Sequence, residues 1–104
     1  MTNKVVIDED IFGWSNEKED QIRKLYERII KVGDDPINLP TGSKDYQVAA
    51  YCDKNKCDLF TADVGFYTDC ILVDIKTIQI TNYDLWEKGK RQIFLVKIIE
   101  GSKS

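Results

Sequence analysis

Four aspartates, Asp8, Asp10, Asp45 and Asp63, stand where apolar runs stop or a helix begins. Asp8 closes the β-branched run Lys4-Val5-Val6-Ile7, and Asp63 closes Leu59-Phe60-Thr61-Ala62, so each follows a strand. In open parallel sheets, ligands bind outside the carboxyl ends of the strands. Asp10 lies two residues beyond Asp8; if the chain stays extended, both point to one side and Glu9 to the other. Asp45 opens a helical stretch three and four residues before Val48 and Ala49, so it shares their core-facing stripe. Taken singly, each acid has a plain reading. Asp45 complements a helix dipole, an effect of about 0.3–1 kcal/mol, while Asp8, Asp10 and Asp63 serve turns and loops. Brought together, they repel: two carboxylates about 4 Å apart cost roughly 4 kcal/mol at a protein-surface dielectric. A divalent cation relieves that cost, and Mg²⁺ and Mn²⁺ prefer such oxygen ligands. Metal-bound water is a nucleophile at neutral pH, and the metal steadies a phosphoryl transition state, so the matching substrate is a phosphodiester.

What the chain lacks narrows the chemistry further. It contains no histidine, which removes Ser-His-Asp, Cys-His and histidine acid–base catalysis. Cys52, Cys57 and Cys70 are an odd count with no CxxC pair, which suits reduced, partly buried thiols better than disulfides or structural zinc. The net charge of −3 argues against a protein that coats nucleic acid by bulk attraction. Charge is uneven, however: acids crowd positions 8–20, while Lys88, Lys90, Arg91 and Lys97 make the end basic. No apolar stretch reaches membrane-spanning length and the start lacks a signal peptide's apolar run, so no membrane partner and a cytoplasmic location are expected.

The elements that must position these acids form a single domain over residues 1–104, too short for a second core. After the first strand, Ser15 or Asn16 caps a helix. Its stripe is Ile22, Leu25, Tyr26, Ile29 and Ile30, and Gly33 suits its end. Asp34-Asp35-Pro36 is a turn, and Ile37-Asn38-Leu39 reads as a very short strand. A second helix runs from near Ser43 to about Lys54, and the Leu59–Ala62 strand follows. Phe66–Ile71 reads as a brief helix and Lys76–Thr81 as a fourth strand. Asn82–Lys90 is a long connection, and Gln92–Ile99 is the strongest strand candidate. Strand–helix–strand–helix–strand gives an α/β fold with a mainly parallel central sheet and a last strand that joins antiparallel.

VVIDED, then GSKDYQVAAYCDKNK, then LFTAD, in that order and at these separations, resembles the small PIN-like nuclease domains. The likeness lies with the compact branch whose first strand ends in Asp-Glu-Asp or Asp-Glu-Asn, and it covers Val5 to about Phe66. It implies a three-layer α/β sandwich and a metal-dependent endoribonuclease using Mg²⁺ or Mn²⁺. Asp8 would be the principal ligand, Asp10 its neighbour, and Asp45 and Asp63 the second and third acids. Thr61 would tie down the turn that holds Asp63. Many family members are toxins restrained by an antitoxin and several are dimers, so an antitoxin and a second copy are the protein partners implied. The family commonly places one more acid two residues after Asp63, where this chain has Gly65. That departure motivates the alternative, a non-catalytic PIN-like interaction module with a degenerate site. A phosphoacceptor receiver domain fits less well, because residues 64–104 are too few for two further strand–helix units. Lys44, Lys88, Lys90 and Arg91 are candidate RNA phosphate contacts. Trp14 and Trp86 suit base stacking, but core or interface packing is the favoured reading of both.

Overall fold

The computed structural model describes residues 3–62, 65, 78–88 and 91–98; for 78–88, 91, 92 and 98 the backbone alone is considered. Eight elements of regular structure follow in order. They are β1 (Lys4–Ile7), α1 (Phe12–Glu17), α2 (Glu19–Arg23), β2 (Arg28–Lys31), α3 (Asp45–Asn55), β3 (Cys57–Thr61), β4 (Ile78–Lys88) and β5 (Arg91–Ile98). The strands make one mixed sheet in the order β2-β1-β3-β5-β4. β2, β1 and β3 run parallel; β5 joins antiparallel to β3, and β4 antiparallel to β5.

Alternation along β1 divides the core between the two faces of the sheet. Val6 packs with Val48, Ala49 and Cys52 of α3, whereas Val5 and Ile7 pack with Trp14 of α1, Ile22 of α2 and Tyr26. β3 alternates in step: Leu59 joins the α3 side and Phe60 the other. A sheet buried on both faces needs continuous apolar strands, and β1 and β3 supply them.

Three expectations are corrected. The helical stripe ends at Tyr26, and Ile29 and Ile30 lie in β2, paired in parallel with Val5 and Val6. Two adjacent isoleucines serve either period, and the open edge of β1 offers them a backbone ladder as well as burial. Leu25, expected on the stripe, is half exposed at 50%. Ser15 does not cap the helix; it is buried, and its hydroxyl donates to the Phe12 carbonyl at 2.8 Å. Ile37-Asn38-Leu39 is no strand but part of a turn closed by a bridge between Asp35 and Leu39. The Asp35 carboxylate accepts from the Asn38 and Ile37 N–H groups and from the Asn38 amide, and these bonds, led by the Asn38 amide, lower its pKa.

Asn82–Lys90 is likewise not a loop. β4 runs on to Lys88, which pairs with Arg91, so the strands are separated by residues 89 and 90 alone. The sequence misled here because the register shifts between Asn82 and Glu87 and breaks the alternation. The helix expected at Phe66–Ile71 lies outside the described residues. Among the described residues, no helix is long and apolar enough to cross a membrane.

Candidate functional site

β1 connects through α1 and α2 to β2 on one side, and the chain then crosses by α3 to β3 on the other. The carboxyl ends of β1 and β3 therefore flank a topological switch point, where the loops leave in opposite directions and open a crevice. Asp8 follows the last residue of β1, and its N–H donates to the Phe60 carbonyl of β3 at 3.1 Å. Its side chain is half-buried and held from two sides. Oδ2 accepts from the Thr61 hydroxyl at 2.7 Å, and Oδ1 accepts from the Glu9 N–H at 2.9 Å. Thr61 is itself buried, 1% exposed, so this bond fixes the carboxylate against a rigid strand end. What the Thr61 hydroxyl secures is thus Asp8, on the neighbouring strand.

The chain does not stay extended past Asp8. It turns at once into a 3-10 turn, Glu9–Ile11, capped by Asp8 and drawn in by the buried Ile11. Asp10 is exposed there, so the expected same-side arrangement of Asp8 and Asp10 is not found. Glu9 takes an unforeseen role. Its Oε1 accepts from the Gly42 N–H at 2.7 Å, tying the end of β1 to the loop that enters α3. Gly42, at φ +83, adopts a conformation that L side chains rarely take, and Gly33, at φ +102, lets the same loop pack closely. A Cβ on Gly33 would sit 2.6 Å from the Thr41 hydroxyl oxygen. The legible clue to Glu9 was the glycine itself, in a Thr-Gly-Ser loop ahead of an acid-led helix.

Asp45 is the first residue of α3 and half-buried, while Val48, Ala49 and Cys52 below it are buried. α3 ends where β3 begins, at the amino edge of the sheet, so its first turn lies toward the carboxyl edge. Gln47 Oε1 accepts the Lys44 N–H at 2.7 Å and closes the helix start. Lys44 is exposed beside it. Asp63 lies outside the described residues, two positions beyond Thr61. So does Lys90, and for Lys88 and Arg91 the backbone places both at the end of the β4–β5 ladder. Among the described residues, no three His, Cys, Asp or Glu side chains gather as a metal group.

Other polar groups fall into supporting roles. Trp14 is buried, edge-on to Phe60 at 5.7 Å, as a core residue. Cys52 and Cys57 are buried free thiols, and burial pushes the Cys57 thiol up, away from the reactive thiolate. Asp58 is a further buried acid, 5% exposed, which accepts from the Tyr26 hydroxyl at 2.7 Å. It pairs in register with Val5 near the amino edge, remote from the crevice. No family model, curated protein or solved structure matches this chain.

Proposed function

We propose that this chain is a PIN-like, metal-dependent endoribonuclease whose acids act at the β1/β3 crevice. The observation that supports the reading best is the Thr61–Asp8 hydrogen bond at the switch point. An acid anchored there, on a strand end with helices packed against both faces of the sheet, is what the resemblance requires. Oxygen donors in a chain without histidine suit a hard dication, and Asp8, Asp45 and Asp63 would hold it, with Asp10 alongside. When bound, Mg²⁺ or Mn²⁺ supplies an activated water and counter-charge for a phosphodiester. The chain's own part is positional. Thr61 orients Asp8, Glu9 fastens the loop before α3, and the exposed Lys44 stands beside Asp45 as a phosphate contact.

A second reading has its own observations. Both oxygens of Asp8 and one of Glu9 already accept hydrogen bonds, and Gly65, exposed in a turn, stands where the family commonly has another acid. These features suit a PIN-like interaction module in which the site has degenerated. Thermal unfolding with added Mg²⁺ or Mn²⁺ separates the two. A working site gains about 2.7 kcal/mol at a hundredfold excess over Kd, and Asp63→Asn loses that gain by deleting a ligand. A transition that neither ion moves favours the interaction module.

Thr61 gives a sharper test of positioning. Thr61→Val keeps the shape and removes the hydroxyl, so cleavage is expected to fall about 10- to 100-fold, as for partners that orient a metal ligand. Thr61→Ser restores the donor and the rate. A valine variant as active as wild type would remove Thr61 from the mechanism.

A further inference from the structure

The β4–β5 hairpin reaches past the edge at which the other strands stop. β3 ends at Thr61, opposite Phe94, and β1 ends beside it at Ile7, yet β5 begins three residues beyond, at Arg91. At about 3.4 Å per residue the ribbon rises roughly 10 Å above the Asp8–Thr61 level. The irregularity in β4 falls at that same level. Asn82 pairs with Phe94 and Glu87 with Gln92, so Tyr83, Asp84, Leu85 and Trp86 stand against Ile93 alone. The ladder then resumes and ends on Lys88 paired with Arg91. A two-stranded ribbon is marginal by itself, and this one is rooted by Ile93, fully buried in the cluster that holds Phe60. Strands lie about 4.8 Å apart, so the bulged segment is roughly 10 Å across the sheet from Thr61.

Placement and composition together suggest a use. A polyanion approaching an edge lined with acids needs cations nearby, and in a chain of net charge −3 they are not supplied by bulk charge. Two basic residues close the ribbon, and two aromatics lie in the bulge at its base. Cations tracking a backbone, with aromatics on which bases stack, form the general apparatus for single-stranded nucleic acid. We propose that the projecting end of the β4–β5 hairpin is an arm that holds single-stranded RNA beside the acidic crevice. Lys88 and Arg91 bind phosphates, and Tyr83 and Trp86 take bases. The proposal rests on the nuclease reading for its substrate class, and it adds strand selectivity: a duplex cannot offer its bases to the bulge.

The test is binding without turnover. Full-length protein in EDTA is titrated against a fluorescein-labelled single-stranded RNA about twelve nucleotides long, with anisotropy as the readout. The double variant Lys88→Gln/Arg91→Gln is expected to weaken binding tenfold or more and to flatten the log–log salt slope by about 1.4, two phosphates at ~0.7 each. Trp86→Ala is expected to weaken it about five- to hundredfold while leaving the salt slope unchanged. Unlabelled duplex RNA competes poorly. Matching unfolding curves certify that the variants are folded. The arm is refuted if the double variant keeps wild-type affinity and slope, if duplex competes as well as single strand, or if wild type does not bind. Metal-dependent cleavage is scored separately. Arm variants that bind normally beside an active nuclease sink the arm alone, whereas arm-dependent binding without any cleavage sinks the nuclease alone.

Discussion

Phe60→Ala is expected to destabilise the fold by about 3–5 kcal/mol, a large share of the 5–15 kcal/mol that holds a typical domain. Phe60 is fully buried in the middle of the sheet, in register with Ile7 on one side and Leu95 on the other. Trp14 meets its ring edge-on at 5.7 Å and Tyr26 at 6.1 Å, nearly perpendicular at 89°. Those partners belong to separate segments, each fixed by its own backbone bonds, so the cavity left by alanine cannot collapse. The urea midpoint should fall accordingly, while Leu25→Ala, at a half-exposed site, stays within about 0.5 kcal/mol of wild type. A loss below about 1 kcal/mol at Phe60 would mean that the two helices on that face are not packed as described.

Asp8→Asn is expected to cost more function than any other single change, at least a hundredfold in cleavage rate, beyond the 10- to 100-fold expected of a partner such as Thr61. The substitution is nearly isosteric and leaves one carbonyl oxygen. The Thr61 hydroxyl can either donate or accept, so it adapts to the amide, and the strand ends stay joined. What is lost is the charge. The variant should therefore unfold close to wild type without metal, and should lack the stabilisation that Mg²⁺ or Mn²⁺ gives wild type. Near-native folding with absent activity is the signature that separates a site residue from a core residue such as Phe60.

The parts of this fold that were legible in the sequence are those where one physical rule acts alone. Val5, Val6 and Ile7 can only be a buried strand, and Asp45–Asn55 carries its acid, its apolar stripe and its length in agreement. The parallel pairing of β1 with β3 and the antiparallel entry of β5 followed from connection lengths. Where two rules competed, periodicity lost. Ile29 and Ile30 fit a helix stripe, but they complete the edge of β1. The β4 bulge hid seven strand residues, Asn82 to Lys88, behind a broken alternation.

At the site, the strand-end logic placed Asp8 correctly, while the assumption of an extended chain misassigned its neighbours. A carboxylate that caps the next turn reverses the chain within one residue, leaving Asp10 exposed and sending Glu9 to Gly42. Such capping depends on local hydrogen bonds that residue types alone do not disclose. The Thr61–Asp8 contact spans fifty-three positions and emerges only once β1 and β3 are paired.

Incubating a mixed single-stranded RNA pool with Mg²⁺ or Mn²⁺, with wild type and Asp8→Asn purified side by side, tests the central claim most directly. Metal-dependent fragments from wild type, abolished by EDTA and reduced at least a hundredfold in the variant, are the predicted result. Equal cleavage by both proteins, or none by wild type with either ion, would contradict it.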